Sequence, residues 1–275
     1  MISRQYSLPL QITGEIPASI RFMVSYSSGI SSWAAAKKIA EEHGTEGMVL
    51  VFADTLIEDA DNYRFLEESA VNIGAQLIRV SDGRTPWDVM RDERIIGNSL
   101  IDPCSKILKR ELLDRWRDAY CCQATTRLVL GIAWDESHRI DEVQARNHPW
   151  MYVAPLCEKP WISKAECLAW AEYEGVKPPR MYEAGFSHAN CGGGCIKAGQ
   201  REWKRLLEFN PAHFEKWEDW ETEMRGVVGD HSILRDRRKS AETEVLTLSE
   251  FRRRVEASEE IDETDIGGCA CALPL

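Results

Sequence analysis

The 275-residue sequence predicts an α/β protein with a doubly wound parallel sheet and a mostly helical C-terminal appendage. Three observations carry this. Apolar runs over residues 20–25, 47–54, 75–80 and 126–133 alternate with helix-like stretches. The runs are continuous rather than alternating, as expected of parallel strands covered on both faces. From Lys197 onward the texture changes to charged and aromatic residues at helical spacing, with Trp203, Leu206, Leu207, Trp217 and Trp220 as the apolar positions.

Residues 20–25 read as the first strand and 33–43 as the first helix. Residues 47–54 read as a fully buried strand, 58–73 as a helix with Tyr63, Leu66 and Ala70 on one face, and 75–80 as a third strand. A helix over residues 106–120 precedes a fourth strand over 126–133. Right-handed crossovers place the loops after these strands along one edge of the sheet. Ser163-Lys164-Ala165-Glu166 is a capping box that opens a helix carrying Leu168, Ala169 and Tyr173, which stops before Gly175 and Pro178-Pro179. The tryptophans beyond Lys197 read as core rather than as a stacking platform. Residues 248–255 read as the last ordered element, ahead of an acidic tail over residues 259–265.

Composition narrows the function. A net charge of −11 argues against a nonspecific nucleic-acid coat, which needs a surplus of Lys and Arg. Arg235-Asp236-Arg237-Arg238-Lys239 and Arg252-Arg253-Arg254 are local basic patches that a solvated helix face explains at least as well as nucleic-acid contact. No apolar run is long enough to cross a bilayer, and residues 1–6 lead into no apolar leader, so a cytoplasmic setting is expected. Nine cysteines, an odd number, then argue for metal or redox work over a disulfide framework.

The turn Ser25-Tyr26-Ser27-Ser28-Gly29-Ile30-Ser31-Ser32 joins the first strand to the first helix. Small residues there expose backbone N–H groups and the positive end of the helix dipole, a ready anion site. No G-x-x-x-x-G-K-[ST] is present, and no G-x-G-x-x-G follows the first strand. The turn resembles the PP-loop of ATP pyrophosphatases, approximately S-G-G-x-D-S, at Ser27, Gly29 and Ser32. Ser28 stands at the first Gly of that motif and Ser31 at its usual Asp.

Further segments resemble phosphoadenosine-phosphosulfate (PAPS) reductases. Phe52-Ala53-Asp54-Thr55 followed by Asn62-Tyr63-Arg64-Phe65-Leu66 is similar to their second-strand segment, and Pro103-Cys104-Ser105-Lys106-Ile107-Leu108-Lys109-Arg110 to their Cys-then-basic segment. The stretch from Gly131 to Arg139 is similar to G-I-R-x-x-x-S-x-x-R, with Ala133 in place of the first Arg; Pro155-Leu156 to Trp161 resembles P-L-x-x-W. These cover about residues 20–200 in order. The resemblance implies an adenine nucleotide alpha-hydrolase-like fold, with a PP-loop nucleotide-binding domain over residues 1–150 and a Cys-containing, mostly helical region over 151–275 that completes the site. It implies nucleotide contacts from Ser25, Ser27, Ser28, Gly29, Ser31, Ser32, Asp54, Thr55, Lys109, Arg110, Gly131, His138 and Arg139, and catalytic roles for Cys104, Lys106 and Asp54. On its own chemistry, Asp54 is either a nucleotide acceptor or a helix cap. Lys106, Lys109 and Arg110 gather at a helix start, where cations oppose the dipole unless an anion compensates them.

The cysteines divide by setting. Cys121, Cys122, Cys157 and Cys167 lie in or near apolar segments and read as small hydrophobes. Cys104, Cys191-Gly192-Gly193-Gly194-Cys195 and Cys269-Ala270-Cys271 are framed by Gly or Pro, which suits a metal or cluster site. Within the resemblance, sulfurtransferases for tRNA and for DNA phosphorothioation hold a [4Fe-4S] cluster on dispersed cysteines, and Cys104, Cys191 and Cys195 resemble that set, with Cys269 or Cys271 as a fourth ligand or a sulfur-handling thiol; Zn²⁺ is the alternative. The tail lacks the E-C-G-x-H-like ending of thioredoxin-dependent PAPS reductases. The leading expectation is an ATP-using, Mg²⁺-assisted enzyme that adenylates an acceptor, nucleic acid or small molecule, and transfers sulfur to it from a sulfur donor. Reduction of PAPS or its 3′-dephosphorylated relative APS by a thiol reductant is the runner-up, and a nucleotide-binding module with a structural metal is the non-enzymatic reading. Homo-oligomerisation is left open.

Overall fold

The computed structural model describes residues 9–236 and 244–268. Six strands make the main sheet: β1 (Gln11–Thr13), β2 (Phe22–Ser25), β3 (Met48–Ala53), β4 (Gln76–Ser81), β5 (Arg127–Val129) and β6 (Met151–Val153). Their order is β1-β4-β3-β2-β5-β6; β1 is antiparallel to β4 and every other pairing is parallel. The chain therefore winds outward from β2 through β3 to β4, then returns to lay β5 and β6 on the other side of β2. The order reverses between β2 and β5, and in such sheets ligands bind beyond the carboxyl ends of the strands at that point.

Strand alternation divides the buried side chains between two faces. Phe22, Val24, Leu50, Phe52 and Val129 pack under α1 (Ile30–His43), α2 (Ala60–Ile73) and, later in the chain, α7 (Lys164–Tyr173). Met23, Val49, Val51, Ile78, Val80 and Leu128 pack against Leu112 and Trp116 of α5 (Glu111–Tyr120) and Val143 of α6 (His138–Arg146). This is the two-faced, mostly parallel α/β architecture expected from the continuous apolar runs. Two smaller helices lie between β4 and α5: α3 (Pro86–Asp92), opened by a Thr85–Asp88 capping box, and α4 (Pro103–Ser105), which runs through a π-helical turn at Lys106–Arg110 into α5.

After α7, whose Ser163–Glu166 capping box is present, come α8 (Arg180–Glu183), α9 (Gln200–Phe209), α10 (Pro211–Val228), a two-stranded antiparallel pair β7 (Leu234–Asp236) and β8 (Glu244–Leu246), and α11 (Leu248–Glu256). Trp203, Trp217 and Trp220 are buried here together with Phe214 and Phe251, as a core reading requires. Ile57, Met90 and Ile96 join that same core, so the helical region packs against the segments that follow β3 and β4. The arginines of the second basic patch are paired: Arg252 with Glu218, Arg253 with Glu250 and Glu259, and Arg254 with Asp236. Residues 237–239 of the first patch lie outside the described residues. Cys167 is buried and Cys121 and Cys157 are half-buried, but Cys122 is exposed in the turn after α5 and does not act as a core hydrophobe. No helix among the described residues is long and apolar enough to cross a membrane.

Candidate active site

A cleft of about 1310 Å³, including its open mouth, lies at the reversal point between β2 and β5. Its floor is the serine turn: Ser25, Ser27, Gly29, Ser31 and Ser32 all line it, and Leu130 to Glu136 form the facing wall. Gly29 caps α1 with an extended backbone and no side-chain bond, and no acid stands in the first turn, so the helix's own sequence leaves its positive end open to the cleft. Ser32 Oγ donates to Gly29 O at 2.8 Å, and Ser27 Oγ donates to Ser32 Oγ at 3.3 Å, which ties the turn to itself.

Ser28 explains how the turn dispenses with its first glycine. Its φ is +58°, the left-handed conformation that normally favours Gly. The buried Oγ donates to Asn62 O at 2.9 Å and to Asn62 Oδ1 at 3.1 Å, local bonds that offset the backbone cost. Ser28 therefore shapes the turn from behind. Gly131, just past β5, serves it from the front: a Cβ there would fall 2.7 Å from Ser32 N and Cα. Only a glycine lets the strand end approach the turn so closely.

Several cleft residues carry no motif in the sequence. Tyr182 of α8 reaches across to accept a hydrogen bond from Ile30 N at 3.1 Å, so a hydroxyl already sits at the helix start. Lys164 lies with its Nζ 4.9 Å from the Tyr182 ring centroid and donates to Ser187 O. Ser187, His188, Ala189 and Asn190 close the far side. Arg139 lines the cleft and is held by Glu136 at 2.5 Å, while His138 is exposed and outside it. Asp135 and Glu136 bring two carboxylates to a cleft whose turn has Ser31 in place of an acid.

Five more of the expected residues, Thr55, Cys104, Lys109, Cys191 and Cys195, assemble in a second, smaller pocket. With Trp217 they line a space of about 350 Å³. Lys109, itself buried, places Nζ 3.8 Å from Cys191 Sγ. Cys191 and Gly192 both adopt left-handed backbone, which wraps the loop around His213, whose Nε2 lies 3.2 Å from Cys191 O. Gly194 packs flat on the Trp217 indole, where a Cβ would fall 2.0 Å from Nε1. That Nε1 has no hydrogen-bond partner among the described residues. Burial pushes the His213 imidazole below its ordinary range, and the Cys191 carbonyl opposes this in part.

The basic residues do not act as one cluster. Successive helical positions point in different directions. Lys106 is on the surface 3.6 Å from Glu111, Arg110 pairs with Asp102 at 3.0 Å, and only Lys109 turns into the cysteine pocket. Asp54 also departs from the nucleotide-acceptor reading: its Oδ1 accepts from Leu56 N at 2.8 Å and Tyr63 Oη at 2.7 Å, the arrangement of a turn cap, and it does not line the cleft. Burial, followed by the bond to Asp54, drives the Tyr63 phenol well above its usual range. Glu58, which no motif marked, accepts from Cys191 N at 2.6 Å and from Thr55 Oγ1 at 3.2 Å. Burial raises its carboxyl above the ordinary range, and Lys109 opposes the shift.

No protein-family model and no curated protein matches this chain. Among solved structures, it is similar to phosphoadenylyl-sulfate (PAPS) reductase from Candida auris in its phosphate complex, at 14% identity over 62% of this chain and 80% of that one, with a TM-score of 0.41. A similarity to the NH3-dependent NAD synthetase of Campylobacter jejuni, in complex with nitrate, covers 75% of this chain and 82% of that one at 11% identity and a TM-score of 0.37.

The cluster expectation meets a mixed result. Cys104, Cys191 and Cys195 share one pocket, and thiols beside an orphaned indole N–H are suitable chemistry for a thiolate-bound cluster. Yet among the described residues no group of three or more His, Cys, Asp or Glu side chains converges as a metal site. Cys269 and Cys271 lie outside the described residues.

Proposed function

We propose that this chain is a PP-loop enzyme of the PAPS reductase-like superfamily that binds a nucleotide by its phosphates at Ser25 to Ser32 and handles sulfur at the cysteine pocket. The observation that carries the reading is the shared wall: the segment over residues 187–195 closes the phosphate cleft with Ser187 to Asn190 and lines the thiol pocket with Cys191 and Cys195. Anion chemistry and sulfur chemistry therefore meet across one loop. The division at about residue 150, into a nucleotide-binding part and a region that completes the site, belongs to the same proposal.

In the leading form, ATP lies with its phosphates on the serine turn, where backbone N–H groups, serine hydroxyls and Arg139 stabilise charge. An acceptor oxygen attacks the α-phosphorus, the bond to the bridging oxygen breaks, and pyrophosphate leaves with the electron pair. A sulfur nucleophile then displaces AMP from the activated acceptor. Lys109 Nζ lies 3.8 Å from Cys191 Sγ, which places a cation beside the sulfur that such a step uses. Mg²⁺ would enter with the triphosphate and neutralise it, and Asp135 brings a carboxylate to the same cleft. No step is assigned to a cluster, because the described cysteines do not form a ligand set by themselves; a [4Fe-4S] or Zn²⁺ centre on Cys104, Cys191 and Cys195 would need its closing ligand from Cys269 or Cys271. Sulfonucleotide reduction is the second reading, favoured by Ser31, since it grips phosphate without hydrolysing it. Incubation with α-labelled ATP and candidate acceptors tests the choice. AMP and pyrophosphate in equal amounts support adenylation, sulfite released from PAPS or APS supports reduction, and nucleotide binding without either product leaves a binding module.

A further inference from the structure

Two tryptophans stand apart from the rest. Trp203 and Trp217 are 0% and 1% exposed, whereas Trp134 and Trp161 are 42% and 52% exposed, and they stack on each other at 5.3 Å with an interplanar angle of 16°. Lys159 adds a cation 5.1 Å from the Trp161 ring centroid. Trp134 lines the phosphate cleft, and among the described residues its only ring partner is Trp161. Nothing in core packing calls for an exposed indole pair braced from one side. A flat, rigid ring supported from behind is what a planar ligand stacks upon.

The cleft is lined by the polar serine turn and also by the apolar side chains of Ile132, Ala133, Trp134 and Ile162. We infer that Trp134 is the stacking wall for the base of the bound nucleotide, with Trp161 and Lys159 holding it in place. The inference rests on the reading of the cleft as a nucleotide site and adds where the base lies and how it is recognised: by the face of the ring, hence with preference for purines, whose larger π surface stacks better.

Titration calorimetry of the full chain with α,β-methylene-ATP and, separately, inorganic tripolyphosphate tests it. In Trp134→Ala the analogue should bind about tenfold more weakly, equivalent to about 1.4 kcal/mol, while tripolyphosphate affinity stays at the wild-type value. Trp134→Phe should keep most of the lost affinity, and Trp161→Ala should fall between. Because both rings are largely exposed, the variants should fold, and an unchanged tripolyphosphate isotherm reports this directly. Unchanged analogue binding in Trp134→Ala, with a normal wild-type isotherm, overturns the base site alone and leaves the pair to some other planar partner. Equal losses for both ligands overturn it as well, since the effect is then on the phosphate end. If the wild type binds neither ligand, the nucleotide reading itself fails and the base site with it.

Discussion

Gly131→Ala isolates the contact that brings β5 up to the serine turn. The added Cβ would lie 2.7 Å from Ser32 N, 2.7 Å from Ser32 Cα and 2.9 Å from the Ser31 carbonyl carbon. Ordinary contact between such atoms is roughly 3.5–4.0 Å, so the overlap is close to an ångström and all of it is with backbone. Neither side yields easily. Ser32 sits in the first turn of a helix whose Trp33, Ala34, Ala35 and Ala36 are wholly buried, and Leu130 and Ile132 beside Gly131 are buried in the opposite layer. Overpacking of this kind costs about 1–3 kcal/mol, and the turn, the least braced partner, should take the displacement. Phosphate binding should therefore weaken roughly 5- to 150-fold, with a fall in Tm of about 2–4 °C for each kcal/mol that reaches global stability. Calorimetric titration with a nonhydrolysable ATP analogue, beside a thermal melt, measures both. Gly226→Ala is the control: it lies within α10 with nothing within 4 Å of the added Cβ, and should be neutral or stabilising by up to about 1 kcal/mol. Wild-type affinity and wild-type Tm for Gly131→Ala would refute the account of the turn.

Ser28→Ala should destabilise more than Ser28→Gly, because alanine keeps the left-handed strain and loses the Asn62 bonds while glycine loses only the bonds; urea midpoints of the two variants give the order. Tyr182→Phe leaves the Ile30 N–H without its acceptor, so the free protein should lose about 1 kcal/mol, and the rise in Tm on adding nucleotide should exceed that of wild type because a phosphate oxygen takes the vacated place. His213 has a folded pKa below its unfolded value near 6.5, so the unfolded chain takes the proton first; stability present above that pH is lost as pH falls towards the folded value, and His213→Gln should flatten this part of the Tm profile between about pH 7 and 5. Cys191→Ser and Cys195→Ser should leave nucleotide affinity within about twofold and abolish sulfur transfer or reduction; full retention of turnover in both would remove the thiol pocket from the mechanism.

Local pattern reached those parts of the molecule that local physics decides. The runs over residues 47–54 and 75–80 match β3 and β4 to within a residue at each end, because a strand covered on both faces must be apolar throughout. The run over residues 126–133 overshoots β5, since Leu130 makes one last bond to Val153 O at 2.9 Å and Ile132 lies past the strand, yet both stay buried beside the cleft, and burial keeps them apolar. β1 and β6 have three residues each, too few to show a period, and β6 gains its place only by pairing with β5. The π-turn at Lys106–Arg110 is invisible to a helical reading for the same reason: it changes which way each side chain points without changing composition. The serine turn was legible because strand, small residues and helix are contiguous. Tyr182, Lys164 and the wall over residues 187–190 come to it from more than a hundred residues away, and only the packing of α7 and α8 delivers them.

That distance bears on how the two pockets communicate. Ser28, behind the phosphate turn, bonds Asn62; Asn62 Nδ2 donates to Glu58 Oε2 at 3.3 Å; and the same oxygen accepts from Cys191 N at 2.6 Å. A continuous path of hydrogen bonds thus runs from the serine turn through the start of α2 to the backbone of the cysteine loop, with Lys109 beside the thiol at its far end. Each link is partly or wholly buried, where a broken bond leaves a donor or acceptor without water to replace it. A phosphate that draws the turn forward has to strain or reset this path, whereas one that settles on the turn as it stands leaves the cysteine loop untouched. The second outcome fits the proposed function, in which sulfur chemistry waits on a bound nucleotide without being triggered by it, and it predicts that reactivity of the pocket thiols towards a small alkylating agent is the same with and without tripolyphosphate. A nucleotide-dependent change that survives in Asn62→Ala would show that the signal travels by the shared wall over residues 187–195 instead.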